Sequence, residues 1–238
     1  MINTYVAIDI ETTGLNPKTD RIIELAAVKV ENGEIIDTFE TLVNPRKSLP
    51  DFIRNLTGIH GEELQNAPDI QEVIESFINF CEGYVLLGHN VIFDYSFIKR
   101  NAVNLELEFE KEGIDTLRIA RKILPYLEKK SLSYLCEYYK IENKNQHRAF
   151  DDAEAAATLY KKLVLEFGNT EEGQEIFLPQ KLTYEIKKEG PITKAQKKYL
   201  INLLDYHNLT LREEIKYLTK NEASRKIDSI ILNYGRIL

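Results

Sequence analysis

Residues 21–43 read RIIELAAVKVENGEIIDTFETLV. Two runs with strand character, 21–31 and 34–43, flank Asn32-Gly33. An Asn-Gly pair between such runs marks a two-residue hairpin, because both central positions of that turn need positive φ. Upstream, TYVAIDI at residues 4–10 is a third run of the same kind. The three strands are therefore expected to form an antiparallel meander. Tyr84, Val85, Leu86 and Leu87 form a short apolar run ahead of Gly88, as in a buried strand. Helical spacing is seen over 49–56, 70–81, 93–102, 116–124, 131–139 and 149–167. In the last, Ala153, Ala156, Ala157, Tyr160, Leu163, Val164 and Phe167 make one apolar stripe. A meander followed by helix–strand alternation predicts an α/β layer architecture with a mixed sheet.

Residues 1–170 form the expected main body, 171–190 a linker with scattered Gly, Pro and charge, and 191–238 a small three-helix domain. Three capping boxes mark the helix starts of that domain: Thr193 with Gln196, Thr210 with Glu213, and Thr219 with Glu222. The 238 residues carry 31 Lys and Arg against 38 Asp and Glu, with 43% hydrophobic residues. That balance excludes a disordered or fibrous chain. The charge is uneven. Residues 181–238 hold 12 basic and 7 acidic side chains, a net of +5 against −12 for the rest. Cys81 and Cys136 are too few and too isolated for a disulfide framework or a thiolate zinc site. They read as free thiols in a reducing cytoplasm. No secretory signal opens the sequence, and no apolar run reaches the ~20 residues of a membrane helix.

Three groups of residues can carry chemistry. Asp9 and Glu11 end the first strand, and residues i and i+2 of a strand share a face. Two carboxylates side by side need a cation or a shared proton. Thr12, Thr13 and Gly14 follow, offering hydroxyls and open backbone suited to a phosphate or sugar. The second group is Gly88-His89-Asn90-Val91-Ile92-Phe93-Asp94, at a strand–helix junction where α/β sheets bind ligands. Asp94 there is also compatible with a plain first-turn acid favoured by the helix dipole. The third is His147-Arg148-Ala149-Phe150-Asp151-Asp152, at the start of the 149–167 helix. A His there can take a proton from water, and an Asp can bind a metal that acidifies that water.

Taken together and in order, strand DxE, GHNxxxD and HxAxxD resemble the three motifs of the DnaQ-like (DEDDh) 3′–5′ exonuclease family. The resemblance covers roughly residues 1–167 and includes YVAIDIETTGLNP and the segment Thr57-Gly58-Ile59-His60-Gly61. It implies an RNase H-like mixed five-stranded sheet flanked by helices, with the C-terminal helical bundle added. It places metal ligands at Asp9, Glu11, Asp94 and Asp152, and the general base at His147. A sister branch has Tyr four residues before the last Asp; Arg148 stands there, which indicates the His branch. The cofactors implied are two divalent cations, Mg²⁺ or Mn²⁺.

The same resemblance lays a 3′ nucleotide along Thr12, Thr13, Gly14 and Leu15, with Ile59, His60, Asn90 and Phe93 against the last bases. Leu15, Ile59 and Phe93 are equally compatible with core positions. The implied substrate is a single-stranded or frayed 3′ end of DNA, with RNA as the other reading, degraded to nucleoside 5′-monophosphates in proofreading or repair. The implied partner is a DNA polymerase or another replication or repair protein. Lys187, Lys188, Lys194, Lys197 and Lys198 suit phosphate contacts or a protein-docking face. An RNA exonuclease of the oligoribonuclease or ribonuclease T kind, and a non-catalytic module binding nucleic acid or polymerase, remain the competing readings.

Overall fold

The computed structural model describes residues 1–170, 175–211 and 213–237. Residues 171–174, where the expected linker begins, lie outside the described residues, as do Arg212 and Leu238.

The expected meander is observed. Strand β1 (Tyr5–Thr12) pairs antiparallel with β2 (Ile22–Glu31), which pairs antiparallel with β3 (Glu34–Leu42). Asn32 and Gly33 both take positive φ, 51° and 83°, as the tight hairpin requires. On the other side of β1 lie β4 (Leu86–Gly88) and β5 (Glu112–Asp115), both in parallel register. A sixth strand, β6 (Gln180–Lys181), closes that edge antiparallel to β5. The sheet order is β3-β2-β1-β4-β5-β6, so β1 is central and buried on both faces.

The expected five strands are thus joined by a sixth, drawn from the segment read as linker. That segment is anchored by apolar burial. Phe177 packs edge-on against Tyr160, and Leu182 lies over Gly113, where a Cβ would come within 2.8 Å of the leucine.

Helices cover both faces of the sheet. On one face, α7 (Ala149–Phe167) lays its alanine-rich stripe on Tyr5, Ala7, Val28 and Val30. The small side chains let the helix approach closely, and Tyr160 meets Tyr5 edge-on at 5.4 Å. On this face α5 (Thr116–Ile123) and α6 (Leu132–Tyr139) complete the layer. On the other face, α3 (Ile70–Phe80) and α4 (Val91–Asn104) bury Ile74, Phe77, Tyr95, Phe97 and Ile98 against Val6, Ile8, Ile10 and Leu25. Two short helices, α1 (Asp51–Thr57) and α2 (Gly61–Gln65), cap a separate cluster of Ile23, Ile53, Ile59 and Leu64. No helix among the described residues is long and apolar enough to cross a membrane.

The C-terminal segment has its own core of Leu200, Leu203, Leu204, Leu218, Ile227 and Ile230. It contains α8 (Lys194–Tyr206) and α9 (Lys220–Tyr234), each opened by its expected capping box. The third expected helix is not seen among the described residues. A 3₁₀ turn, Ile215–Tyr217, stands in its place, and Glu213 instead bridges to the backbone of Lys47. A box sets only the first turn; continuation needs an apolar stripe, which the few residues before Thr219 cannot supply.

Candidate active site

β1 delivers the first two acids. Its even positions, Val6, Ile8 and Ile10, are buried under α3 and α4, so Asp9 and Glu11 share the opposite face, beneath the start of α7. A register irregularity between Glu11 and Thr12 ends the regular ladder there and turns the chain into the following loop.

The third acid arrives from α4. Asn90 takes φ 74°, a left-handed turn that asparagine tolerates, and its backbone N–H is held by Asp115 at 2.9 Å. Asp94 falls in the first turn, nearly fully buried, and its Oδ1 accepts the Ile10 N–H at 3.0 Å. Its carboxyl is thereby tied to the strand between Asp9 and Glu11.

The fourth acid and the histidine arrive from the start of α7. His147 has φ 65°, and its backbone N–H donates to Asp152 Oδ2 at 3.1 Å. Asn143 Nδ2 donates to Asp152 Oδ1 at 2.7 Å. The helix period brings the Asp152 carboxylate back under His147, and ligand atoms of Glu11, His147 and Asp152 all lie within 4.8 Å of one another. Asp9 and Asp94 fall outside that tight group but within electrostatic reach of it. Asp151 points away, toward Asn145.

Two contributions to this geometry escaped the sequence reading: Glu24, and the role of Arg148 as its partner. Glu24 stands directly across the ladder from Glu11 on β2, fully buried. Arg148 grips it, Nε at 3.0 Å and Nη2 at 2.6 Å from Glu24 Oε1, while the Ala149 N–H donates to Oε2 at 2.9 Å. Glu24 therefore caps α7 from a neighbouring strand and fixes where His147 and Asp152 begin. The available signal was a single acid inside the apolar run IIELAAV. A charge there requires a buried partner.

The carboxylates raise one another's pKa values. Burial, then Asp94, Asp152, Glu11 and Glu24, push Asp9 well above the usual carboxylate range. Burial, then Asp152, Glu24 and Asp94, push Glu11 up to about 9, with Arg148 opposing. Asp94 is raised well above its ordinary value by burial, against the hydrogen bonds from its own N–H and that of Ile10. Asp152 is raised by burial, against its bonds from Asn143 and His147. Asn143 Oδ1 is buried with no hydrogen-bond partner among the described residues, leaving another oxygen acceptor in a residue bound to Asp152. One buried and three half-buried carboxylates with an amide oxygen are the donor set that hard divalent cations take. The residues present fit such ions.

The expected nucleotide-binding residues divide. Thr12 and Thr13 are buried, with hydroxyls committed to the loop: Thr12 Oγ1 donates to Gly14 O at 2.7 Å, and Thr13 Oγ1 accepts the Arg21 N–H at 3.0 Å. Leu15 is 84% exposed. His60 and Asn90 are exposed, and Phe93 is half-buried against Phe97. Ile59 is 1% exposed, packed with Ile23, Ile53 and Leu64. Of the two readings compatible with Ile59, base contact and core, this packing is the core one. His89 is also structural, held between Thr116 Oγ1 at 2.9 Å and the Lys130 carbonyl at 2.7 Å.

Comparison with known proteins places this geometry. A family model described as Exonuclease (RNase_T) matches residues 6–160. A DNA polymerase III PolC-type of Caldanaerobacter subterraneus subsp. tengcongensis is 43% identical over 160 residues, 67% of this chain and 11% of the relative. The chain thus spans about a tenth of the length of that relative. Among solved structures, Exonuclease X in complex with 5′ overhanging duplex DNA has TM-score 0.57 at 27% identity, covering 71% of this chain and 96% of that one. The nuclease domain of 3′hExo, a DEDDh family member bound to rAMP, has TM-score 0.62 at 21% identity, covering 76% and 98%.

Proposed function

The chain belongs to the exonuclease family, and on that premise we propose that it removes nucleotides singly from the 3′ end of DNA, releasing nucleoside 5′-monophosphates. The observation that carries this reading is the convergence of Glu11, His147 and Asp152 within 4.8 Å, with Asp9 and Asp94 beside them. In this reading Asp9, Glu11, Asp94 and Asp152 would hold two divalent cations, Mg²⁺ or Mn²⁺. Such ions, when bound, lower the pKa of water and neutralise charge on the phosphate.

The chain's own residues supply the rest. His147, exposed at the mouth, accepts the proton of the attacking water at a ring nitrogen. Water oxygen bonds to phosphorus, the bond from phosphorus to the 3′ oxygen breaks, and that oxygen takes up a proton. Glu24 and Arg148 hold the imidazole's backbone in place. Exposed Leu15, His60 and Asn90 line the approach of the strand end. Base contacts of this kind are sequence-tolerant.

DNA is favoured over RNA because the matched relative is a DNA polymerase and Exonuclease X was solved on DNA. A polymerase is the partner this likeness suggests. The test is incubation of the pure chain with 5′-labelled single-stranded DNA and RNA, in Mg²⁺ or in EDTA. A ladder of shortened 5′-labelled products on DNA, absent in EDTA, is expected. No ladder on either polymer defeats the proposal, and a better ladder on RNA moves the substrate to RNA.

A further inference from the structure

The loop joining β1 to β2 leaves the active site directly after Glu11 and carries Thr12–Leu15. Its neck is closed by one backbone bond and one to a side chain: the Thr13 N–H donates to Arg21 O at 2.8 Å, and the Arg21 N–H to the Thr13 hydroxyl Oγ1 at 3.0 Å. Its outer side is held by cations. Arg100 of α4 donates to Pro17 O at 2.5 Å, and Lys47 Nζ donates to Thr19 O at 3.2 Å and Asp20 Oδ1 at 3.3 Å.

Arg21 and Arg100 are in turn held from the C-terminal segment. Glu222, in the first turn of α9, accepts Arg21 Nη2 at 2.5 Å and lies 3.7 Å from Arg100 Nη2. Glu189 accepts the same Arg100 nitrogen at 3.4 Å. Glu222 and Arg100 are each 5% exposed. The Glu222 carboxylate is aimed by its capping box, its Oε2 accepting the Thr219 N–H at 2.8 Å. A helix cap thus serves as one end of an ion network whose other end is the loop beside the catalytic acids. The family match ends at residue 160, so α9 is outside it.

We propose that α9, through Glu222 on Arg21 and Arg100, braces the β1–β2 loop in the shape that receives the terminal nucleotide, so that substrate affinity depends on the C-terminal segment. This rests on the exonuclease reading. Glu222 is a positioning residue. It acts on Thr12–Leu15, whereas Asp9 and Glu11 are held independently by the ladder to β2. Its loss should therefore raise KM and spare kcat.

The test compares the full chain with Glu222→Ala, Glu222→Gln and, as a control elsewhere on exposed α9, Asn233→Ala. Cleavage of a single-stranded DNA oligonucleotide and backbone amide exchange at Thr13 and Arg21 are both measured. E222A should raise KM about tenfold, the scale of a lost charge-assisted hydrogen bond, with kcat within about twofold and both amides exchanging faster. E222Q, which keeps an acceptor for Arg21, should fall between, and it carries the test if E222A does not fold. N233A should match the parent. Unchanged KM, or a loss confined to kcat, overturns the brace. If the parent chain cleaves nothing, the exonuclease reading fails; exchange then decides alone, unchanged amides in E222A overturning the brace and faster ones upholding it.

Discussion

Arg148 and Glu24 are 124 residues apart and form a two-nitrogen ion pair one strand away from Glu11. Glu24 and Glu11 are direct cross-strand neighbours, a like-charge arrangement that destabilises a sheet unless neutralised. Arg148 neutralises it and, being next to His147, fixes where that residue leads into α7. Arg148→Ala leaves the Glu24 carboxylate buried with only the Ala149 N–H. The expected loss is about 3 kcal/mol in urea unfolding, the low end for a broken buried pair because Arg148 is 37% exposed. Cleavage should fall further than stability does. Equal unfolding midpoints for the parent and R148A would remove the pair from the fold's support.

The raised carboxyls make stability depend on pH in a defined direction. Unfolded Asp and Glu titrate near about 4. Glu11 in the folded chain is pushed up to about 9 by burial, then Asp152, Glu24 and Asp94, and Asp9, Asp94 and Asp152 are raised as well. Between these values the folded state binds more protons than the unfolded one, so stability falls as pH rises. The contribution is fully present below the unfolded values and is lost toward about 9. In EDTA, Tm should decline from about pH 5 to about pH 9. Mg²⁺ should raise Tm more at about pH 8 than at about pH 5, since ions bind the deprotonated form. A Tm that climbs with pH in EDTA would contradict the crowding.

Asp9→Asn separates function from stability at one position. It removes one of the crowded charges while keeping the side chain's shape. Cleavage should be abolished, and Tm in EDTA should rise rather than fall. A lower Tm would mean that the Asp9 carboxylate supports the fold without cations.

Which parts of this architecture were legible follows from how local each cause is. Asn32-Gly33 and the acids ending β1 announce themselves, because turn chemistry and a charge on an apolar strand are visible within a few residues. β5 is four residues, Glu112–Asp115, too short to show alternation. β6 is two residues, joined to the sheet by burial of Phe177 and Leu182 against distant partners. The placement of Arg148 on Glu24 is equally non-local, so the pair was invisible although each residue was in view. Ile59 was open to two readings for a related reason. It lies in a segment resembling a nucleotide wedge, but only the packing of α1 and α2 decides that it points inward.

Gly14 tests the loop beside the acids. A Cβ there would lie 2.6 Å from Asp20 Oδ2 and 2.7 Å from its Cγ. Asp20 cannot easily retreat, since it accepts from Asn16 N at 3.0 Å and Lys47 Nζ at 3.3 Å. Gly14→Ala should therefore displace the loop. The expected result is a KM for DNA raised by about tenfold or more, with Tm lowered by only a few degrees. A KM equal to that of the parent would show that the loop does not meet the substrate.

Ile59 and His60 are adjacent, and burial assigns them opposite roles. Ile59 fills the cluster with Ile23, Ile53 and Leu64, so Ile59→Ala should cost about 2–4 kcal/mol of stability. Its kcat/KM at low temperature, where the variant is folded, should stay within about twofold of the parent. His60 is exposed at the start of α2, where its backbone N–H is held by Glu63 at 2.8 Å and its side chain completes the capping box. His60→Ala should cost no more than about 1 kcal/mol, the scale of a lost helix cap and well below the cost of Ile59→Ala, and raise KM for single-stranded DNA. Parallel urea unfolding and steady-state cleavage decide the matter. If I59A loses substrate affinity at full stability while H60A does not, the wedge belongs to Ile59, and the cluster must open to release it.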